Sequence, residues 1–445
     1  MTTAPPAIQI EDRLAQLFRH LGIRRAHVGG GYAADALSLV RTVPESIVSM
    51  TLVCPFRLPA DPFRPLGARL LFIHGDRGPG ASSAQQTLAS LPEAKEVALQ
   101  NYADAAWSDA VAERQAEIEP VLLAFLADLS RREALEPTHL TQGDGEIAGI
   151  RYRVRGSGPP IVLLPLTLAR SQWDPLVPVL AERYTTIVLG GAFVGIIPSL
   201  EARMQGGYRG VVRSVVEAAD IQPRQNIVEV GCGSGAVARW LARFTQGANR
   251  ITAVDVNDYL LGEAQALTRA DGLLDRITFG QGDAEGLPMP SASVDVALSF
   301  TVMEEVDAER MLAEMVRVTR PGGRVGVVIR ATDMRPWINV ALRPELLAAI
   351  ESVSGAGSAD LGCSDASLYR RFREAGLKPL MMGPQLAPDR ADQSPERLRF
   401  FTGRIAQALP ADEAHEFRTA VRRAIDHGTM LWAEPYHCAL GIKSN

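Results

Sequence analysis

Residues 225–244 read QNIVEVGCGSGAVARWLARF. A β-branched run, Ile227–Val230, stops at Gly231-Cys232-Gly233-Ser234-Gly235, and an amphipathic helical pattern follows. Glycines at such a turn let the backbone approach a ligand closely, and the helix start offers unpaired N–H donors. Dinucleotide enzymes use the same device as G-x-G-x-x-G/A, into which Gly231, Gly233 and Ala236 can be forced. Glu229 speaks against a phosphate. A carboxylate two residues before the first glycine repels a pyrophosphate, whereas it neutralises an ammonium.

Downstream, four more strand-like segments follow in order. ITAVD ends in Asp255, placed to accept from both hydroxyls of a ribose. ITFGQGD ends in Asp283, placed to accept from an adenine amino group. SVDVALSF is a fourth strand, and TRPGGRVGVVIR carries a Pro-Gly-Gly turn into a fifth. A strand-ending aspartate is by itself often only a helix cap. Asp255, Asp283 and the glycine turn together point to a nucleoside-bearing cofactor.

VEVGCGSG, AVDV, GDAEGLPMPSASVDV and RPGGRV stand in the order and spacing of the class I S-adenosylmethionine-dependent methyltransferases. From Tyr208 to Ser444 the chain resembles their small-molecule group, which includes the ubiquinone/menaquinone-biosynthesis enzymes. The resemblance implies a Rossmann-like seven-stranded fold with S-adenosyl-L-methionine as cofactor. It places Glu229, Gly231, Cys232, Gly233 and Gly235 around the methionine part, with Cys232 a small packing residue. It places Asp255 and Val256 at the ribose and the adenine face, and Asp283 and Ala284 at the adenine edge. Phe300 would line the methyl-transfer site.

Methyl transfer from a sulfonium is an in-line displacement, so positioning and desolvation supply most of the rate. A base is needed only where the acceptor must lose a proton. Glu304 and Glu305, in FTVMEEVDAER, fall at the mouth of the expected site and are candidate catalytic groups; a helix-starting carboxylate pair is the plain alternative. None of the seven histidines lies between His139 and His415, so a histidine base must come from the C-terminal end, where His427 is the candidate. His437 falls in an apparent last strand, where packing is the commoner role. Residues 331–364 are too long for a simple connection and are rich in apolar side chains. They are expected to form a lid, with Met334, Trp337 and Ile338 over a moderately apolar acceptor.

Residues 1–200 also alternate strands with helices and resemble the α/β-hydrolase fold with its halves exchanged. Residues 8–130 look like that fold's second half and 146–195 like its first, joined by the polar stretch Arg131–Glu146. Circular permutation is the simplest account; two unrelated hydrolase-derived fragments, or halves that pair between two chains, are the alternatives. The chemistry is missing. The nucleophile elbow requires G-x-S-x-G, and here Gly31 stands where the serine should be. The acid position falls near Arg77 and Gly78, beside Asp76, and the histidine position near Asp104. His27 and His74 lie inside candidate strands and read as packing residues.

The 445 residues fit two or three domains, here 1–200 and 201–445. A composition of 47% hydrophobic and 22% charged residues excludes collagen-like, coiled-coil and disordered chains. Lys plus Arg is 46 against 51 Asp plus Glu, a net charge of −5 without a basic run, so no nucleic-acid partner is expected. The four cysteines form no CxxC pair, which disfavours a metal site or a disulfide framework and favours a reducing compartment. MTTAPPAIQIEDRL lacks the pattern of a signal peptide, and no stretch approaches the ~20 apolar residues of a membrane span. The expectation is a cytoplasmic methyltransferase of small molecules, with a silent hydrolase-like domain serving structure, homodimer contacts or substrate covering. Two rivals are a protein that holds S-adenosylmethionine as a scaffold for a non-methylating reaction, and a hydrolase with a regulatory S-adenosylmethionine domain.

Overall fold

A computed structural model describes residues 9–444, except 56–57, 105–107, 354–360, 392–397, 399–400, 404 and 407–408. The chain divides into two compact units, Met1–Pro198 and Ser199–Asn445, each with its own α/β sheet.

In the first unit the strands are β1 (Ala26–Gly30), β2 (Ile47–Val53), β3 (Leu70–Arg77), β4 (Lys95–Ala103), β5 (Gly143–Ile147), β6 (Ile150–Arg155), β7 (Pro160–Leu163) and β8 (Thr185–Gly190). They form one sheet in the order β4-β3-β2-β1-β7-β8-β6-β5. All pairs are parallel except β5–β6 and β6–β8. β1 and β2 are buried along their whole length, as expected of parallel strands covered on both faces. The helix Ile10–His20 turns Leu14, Leu17 and Phe18 onto one face. Gln115–Arg132 turns Ile118, Leu122, Phe125 and Leu126 onto the other. The polar stretch Arg131–Glu146 is not all linker. Residues from Gly143 onward form β5, which pairs with β6 and is tied to it by Arg153 donating to Asp144 at 3.0 Å. Two glycines in GDGEI hide the strand from propensity, and cross-strand pairing supplies it.

In the second unit the strands are β9 (Asn226–Val230), β10 (Arg250–Asp255), β11 (Ile277–Gln281), β12 (Val294–Phe300), β13 (Thr319–Arg330), the two-residue β14 (Trp337–Ile338), β15 (Leu377–Arg390) and β16 (Leu431–Lys443). The sheet runs β11-β10-β9-β12-β13-β16-β14, with β15 also paired to β16. The first five are parallel, and β16 returns antiparallel. Numbered by position along the unit with β14 set aside, the seven long strands lie in the order 3-2-1-4-5-7-6. The order reverses between β9 and β12, where an open parallel sheet leaves a crevice at its carboxyl ends. The helices Tyr208–Ala218 and Ala236–Phe244 cover one face, and Ala308–Val318 and Ser367–Glu374 the other. A separate apolar cluster gathers Leu346, Ile350, Phe417 and Trp432, and Ile338 packs against it.

Among the described residues, no helix is long and apolar enough to cross a membrane. Nor, among them, could any group of three His, Cys, Asp or Glu hold a metal ion.

Candidate active site at the carboxyl edge of the second sheet

Because β9 to β13 are parallel, the residues that follow them emerge on one edge. Gly231 to Gly235 follow β9, Asp255 ends β10, Asp283 follows β11, Glu304 follows β12 and Arg330 ends β13. The hydrophobic runs place the strands, and the strand ends place the polar groups.

The glycine turn is tightly determined. Gly231 has φ +76°, and a Cβ there would lie 2.1 Å from Val302 Cγ2. The Gly231 and Cys232 N–H groups both donate to Val254 O, at 2.7 and 3.0 Å. Gly233 N–H donates to Asp255 Oδ2 at 2.7 Å, and Gly235 N–H to Cys232 O at 2.8 Å. Four amides of the turn are therefore spent within the protein, which leaves a poor cradle for a pyrophosphate. Gly233 has an open side: a Cβ there would meet only Leu200, at 3.7 Å. Behind the turn, Arg239 is buried and donates to Ser234 O at 2.7 Å, with Glu201 and Asp271 as its ion-pair partners. Ser234 Oγ donates to Glu201 at 2.6 Å. Glu201 and Arg239 thus hold the turn's shape; no short motif marks them in sequence.

Glu229 is 2% exposed, and its Oε2 has no hydrogen-bond partner among the described residues. Burial, reinforced by the Asp255 charge, lifts its carboxyl to about 8, against a smaller opposing pull from Arg239. Cys232 is buried, and its thiol is pushed well above its ordinary range, chiefly by burial, which disfavours the thiolate that a nucleophile needs. Asp255 does more than expected. Besides Gly233 N–H it accepts Asn257 N–H at 2.9 Å, and the Val256 N–H also faces it, so both oxygens already shape the turn. Val256 beside it is 65% exposed. Asp283 is exposed and accepts Glu285 N–H at 2.8 Å, while Ala284 is buried. Gln281 Nε2 donates to Val256 O at 3.3 Å, which joins the β10 and β11 ends. Phe300 is the last residue of β12 and is buried in the core on the Tyr208 side.

The two candidate glutamates differ. Glu304 is buried and accepts Arg330 N–H at 2.7 Å, whereas Glu305 is exposed. Burial raises the Glu304 carboxyl, while the Arg330 charge pulls the other way. His427 lies exposed after the helix Ala411–Asp426, and none of the bonds around Glu304 includes it. His437 is buried, bonded to Asp333 and to the Tyr369 hydroxyl, each at 2.7 Å. It ties β16 to the base of the 331–364 segment. In that segment Met334 caps a turn on Ala331, while Trp337 and Ile338 form β14 against Trp432 and Ala433. Residues 354–360 of the expected lid lie outside the described residues.

Residues 228–327 match the model of a methyltransferase domain family, Methyltransf_11. Sterol 24-C-methyltransferase ERG6B of Gibberella zeae is 35% identical over 108 residues, 24% of this chain and 28% of that protein. Methyltransferase GfsG of Streptomyces halstedii is 34% identical over 138 residues, 30% and 49%. The ubiquinone/menaquinone biosynthesis C-methyltransferase UbiE of Psychromonas ingrahamii is 28% identical over 130 residues, 29% and 52%. The chain thus spans about half or less of the curated relatives it matches. Residues 228–327, which carry most of β9, all of β10 to β12 and most of β13, thus match a methyltransferase domain, on a sheet of Rossmann-like order.

Proposed function

We propose that this chain transfers a methyl group from S-adenosylmethionine to a moderately apolar small-molecule acceptor, at oxygen or carbon. Glu229 and the turn Gly231, Cys232, Gly233 and Gly235 hold the methionine part. Asp255 accepts from the ribose, Val256 lies against the adenine face, and Asp283 and Ala284 meet the adenine edge. When bound, the cofactor supplies an electrophilic methyl group on a sulfonium. The observation that carries the reading is the buried Glu229 carboxylate, with an oxygen that has no partner among the described residues. An ammonium placed there satisfies it, and a phosphate does not. Phe300, Met334, Trp337 and Ile338 are proposed to bound the acceptor. The names of the sterol and quinone relatives fit an apolar acceptor.

We also infer that the first unit is a circularly permuted, silent hydrolase-like domain. Counted from β5 through β8 and then β1 through β4, its sheet reads 1-2-4-3-5-6-7-8 with strand 2 antiparallel, so that the two segments lie side by side in one sheet. At the elbow position a Cβ on Gly31 would lie 2.5 Å from both Leu166 O and Val53 O. A serine does not fit there.

Calorimetric titration with S-adenosylhomocysteine and, separately, NAD tests the main reading. Saturable binding of S-adenosylhomocysteine is expected, with Asp255→Ala weakening it about five- to 150-fold. Binding of NAD instead would return the turn to the dinucleotide reading. Tight cofactor binding without turnover over a broad acceptor panel would favour the scaffold alternative.

A further inference from the structure

The helices Ile197–Arg203 and Tyr208–Ala218, the carboxyl ends of β12 and β13 and the amino-terminal part of β16 contribute a group of polar side chains apart from the glycine turn. Thr301 donates to Phe300 O at 2.6 Å and accepts from Arg203. The Arg203 guanidinium lies 4.5 Å over the Tyr208 ring, whose centroid is 5.0 Å from that of Tyr436. Tyr436 donates to Glu434 at 2.9 Å. Glu304 Oε1 accepts Arg330 N–H at 2.7 Å, with the Arg330 guanidinium at 3.6 Å.

Two atoms in this group stand without a hydrogen-bond partner among the described residues, the Tyr208 hydroxyl and Glu304 Oε2. Both residues are almost wholly buried, Tyr208 at 1% and Glu304 at 4% exposed. Thr301, the hydroxyl near Tyr208, gives its proton to Phe300 O and accepts from Arg203, so toward Tyr208 it is at most a further acceptor. A buried polar atom without a partner is costly, and a native structure that keeps two of them in one group needs a reason. One is a donor and the other an acceptor, which is the complement of a single hydroxyl group.

Resting on the methyltransferase reading, we propose that Tyr208 and Glu304 hold a hydroxyl of the methyl acceptor, Tyr208 donating to its oxygen and Glu304 accepting its proton. The acceptors are then phenols or enols, and oxygen is the atom methylated. As that oxygen shares a lone pair with the methyl carbon, its proton passes to Glu304 Oε2. The pair of the broken C–S bond stays on sulfur, so the carboxylate and sulfonium charges vanish together. A carbon nucleophile would offer Tyr208 no lone pair at the reacting atom. Burial makes Glu304 a stronger base than a solvated glutamate. Arg330 and Arg203 act against that shift, while Glu305 and Glu434 add negative charge around Arg330.

The test titrates phenol, and separately anisole, at millimolar concentration into the full-length protein saturated with S-adenosylhomocysteine. Wild type, Tyr208→Phe and Glu304→Gln are compared by ligand-observed NMR. Phenol should bind saturably and at least about tenfold more tightly than anisole, which lacks the proton. Each substitution should weaken phenol about fivefold or more while leaving S-adenosylhomocysteine affinity unchanged; Tyr208→Phe should also weaken anisole, whose oxygen still accepts, and Glu304→Gln should not. Equal binding of phenol and anisole, no phenol binding, or variants indistinguishable from wild type would overturn the proposal. Loss of S-adenosylhomocysteine binding in the variants alone would place the two groups on the cofactor and overturn it as well. Failure of S-adenosylhomocysteine to bind the wild type would instead sink the methyltransferase reading.

Discussion

At Glu229 a carboxylate sits in the core, two residues before the turn it serves. Its folded value of about 8 lies above that of an unfolded glutamate, so the sign of its contribution is set. The empty protein has this group's stability in full at low pH and loses it as pH rises from about 4.3 through about 8. A bound ammonium reverses the balance by favouring the charged form. S-adenosylhomocysteine affinity should therefore rise from pH 6 to 8, by at most about tenfold per pH unit, and calorimetry in two buffers of different ionisation enthalpy should detect the proton released. Glu229→Gln should flatten that profile, weaken binding and raise the melting temperature of the empty protein at pH 8. An unchanged profile in the variant would remove Glu229 from the cofactor site. Tyr208 shows the limit of reading single residues. It opens a helix with no motif around it, and only the packing of Arg203, Thr301 and Tyr436 makes its hydroxyl conspicuous.

Among elements, the turn after β1 and the edge strand β15 are the informative ones. GGGYA reads in sequence as an elbow without a nucleophile, and the packing adds that the nucleophile is not easily restored. Gly31→Ser should produce no esterase activity and should destabilise the protein by about 1–3 kcal/mol, measured by denaturant unfolding. A stable, esterase-active variant would show that the elbow still has room. β15 was not legible as a strand. Pro379, Pro384 and Pro388 interrupt its pattern, yet all three stand in register with β16, opposite Gly441, His437 and Ala433. Pairing with a long neighbour overrides local propensity, and prolines suit a sheet-edge strand because they withhold donors from further pairing.

For the whole molecule, the division at Pro198 leaves every residue proposed for cofactor and acceptor within the second unit. That unit carries its own clusters on both faces of its sheet. A polypeptide of residues 199–445 should therefore fold and bind S-adenosylhomocysteine within about threefold of the full chain, beyond which a difference of more than ~0.6 kcal/mol is required. A fragment that unfolds, or one that folds but binds much more weakly, would make the first unit part of the binding machinery. The first unit has two clusters of its own and a histidine, His27, buried between Ser49 and Ser130 at 2.7 and 2.8 Å. That environment agrees with a packing role for His27.

Sequence alone determined the Rossmann-like part, because hydrophobic period, glycine turn and strand-ending aspartates are local signals, each set within about ten residues. It also put Asp255 and Asp283 at the ends of strand-like runs, and parallel strands carry such ends to the same side. What tertiary structure decided were the properties that depend on contacts distant in sequence. These are the isolation of the Glu229 and Glu304 oxygens, the double duty of Asp255, the carbonyls that close the elbow at Gly31, and the pairing that makes strands of β5 and β15. Burial and partnership belong to three-dimensional neighbours, and no local pattern encodes them.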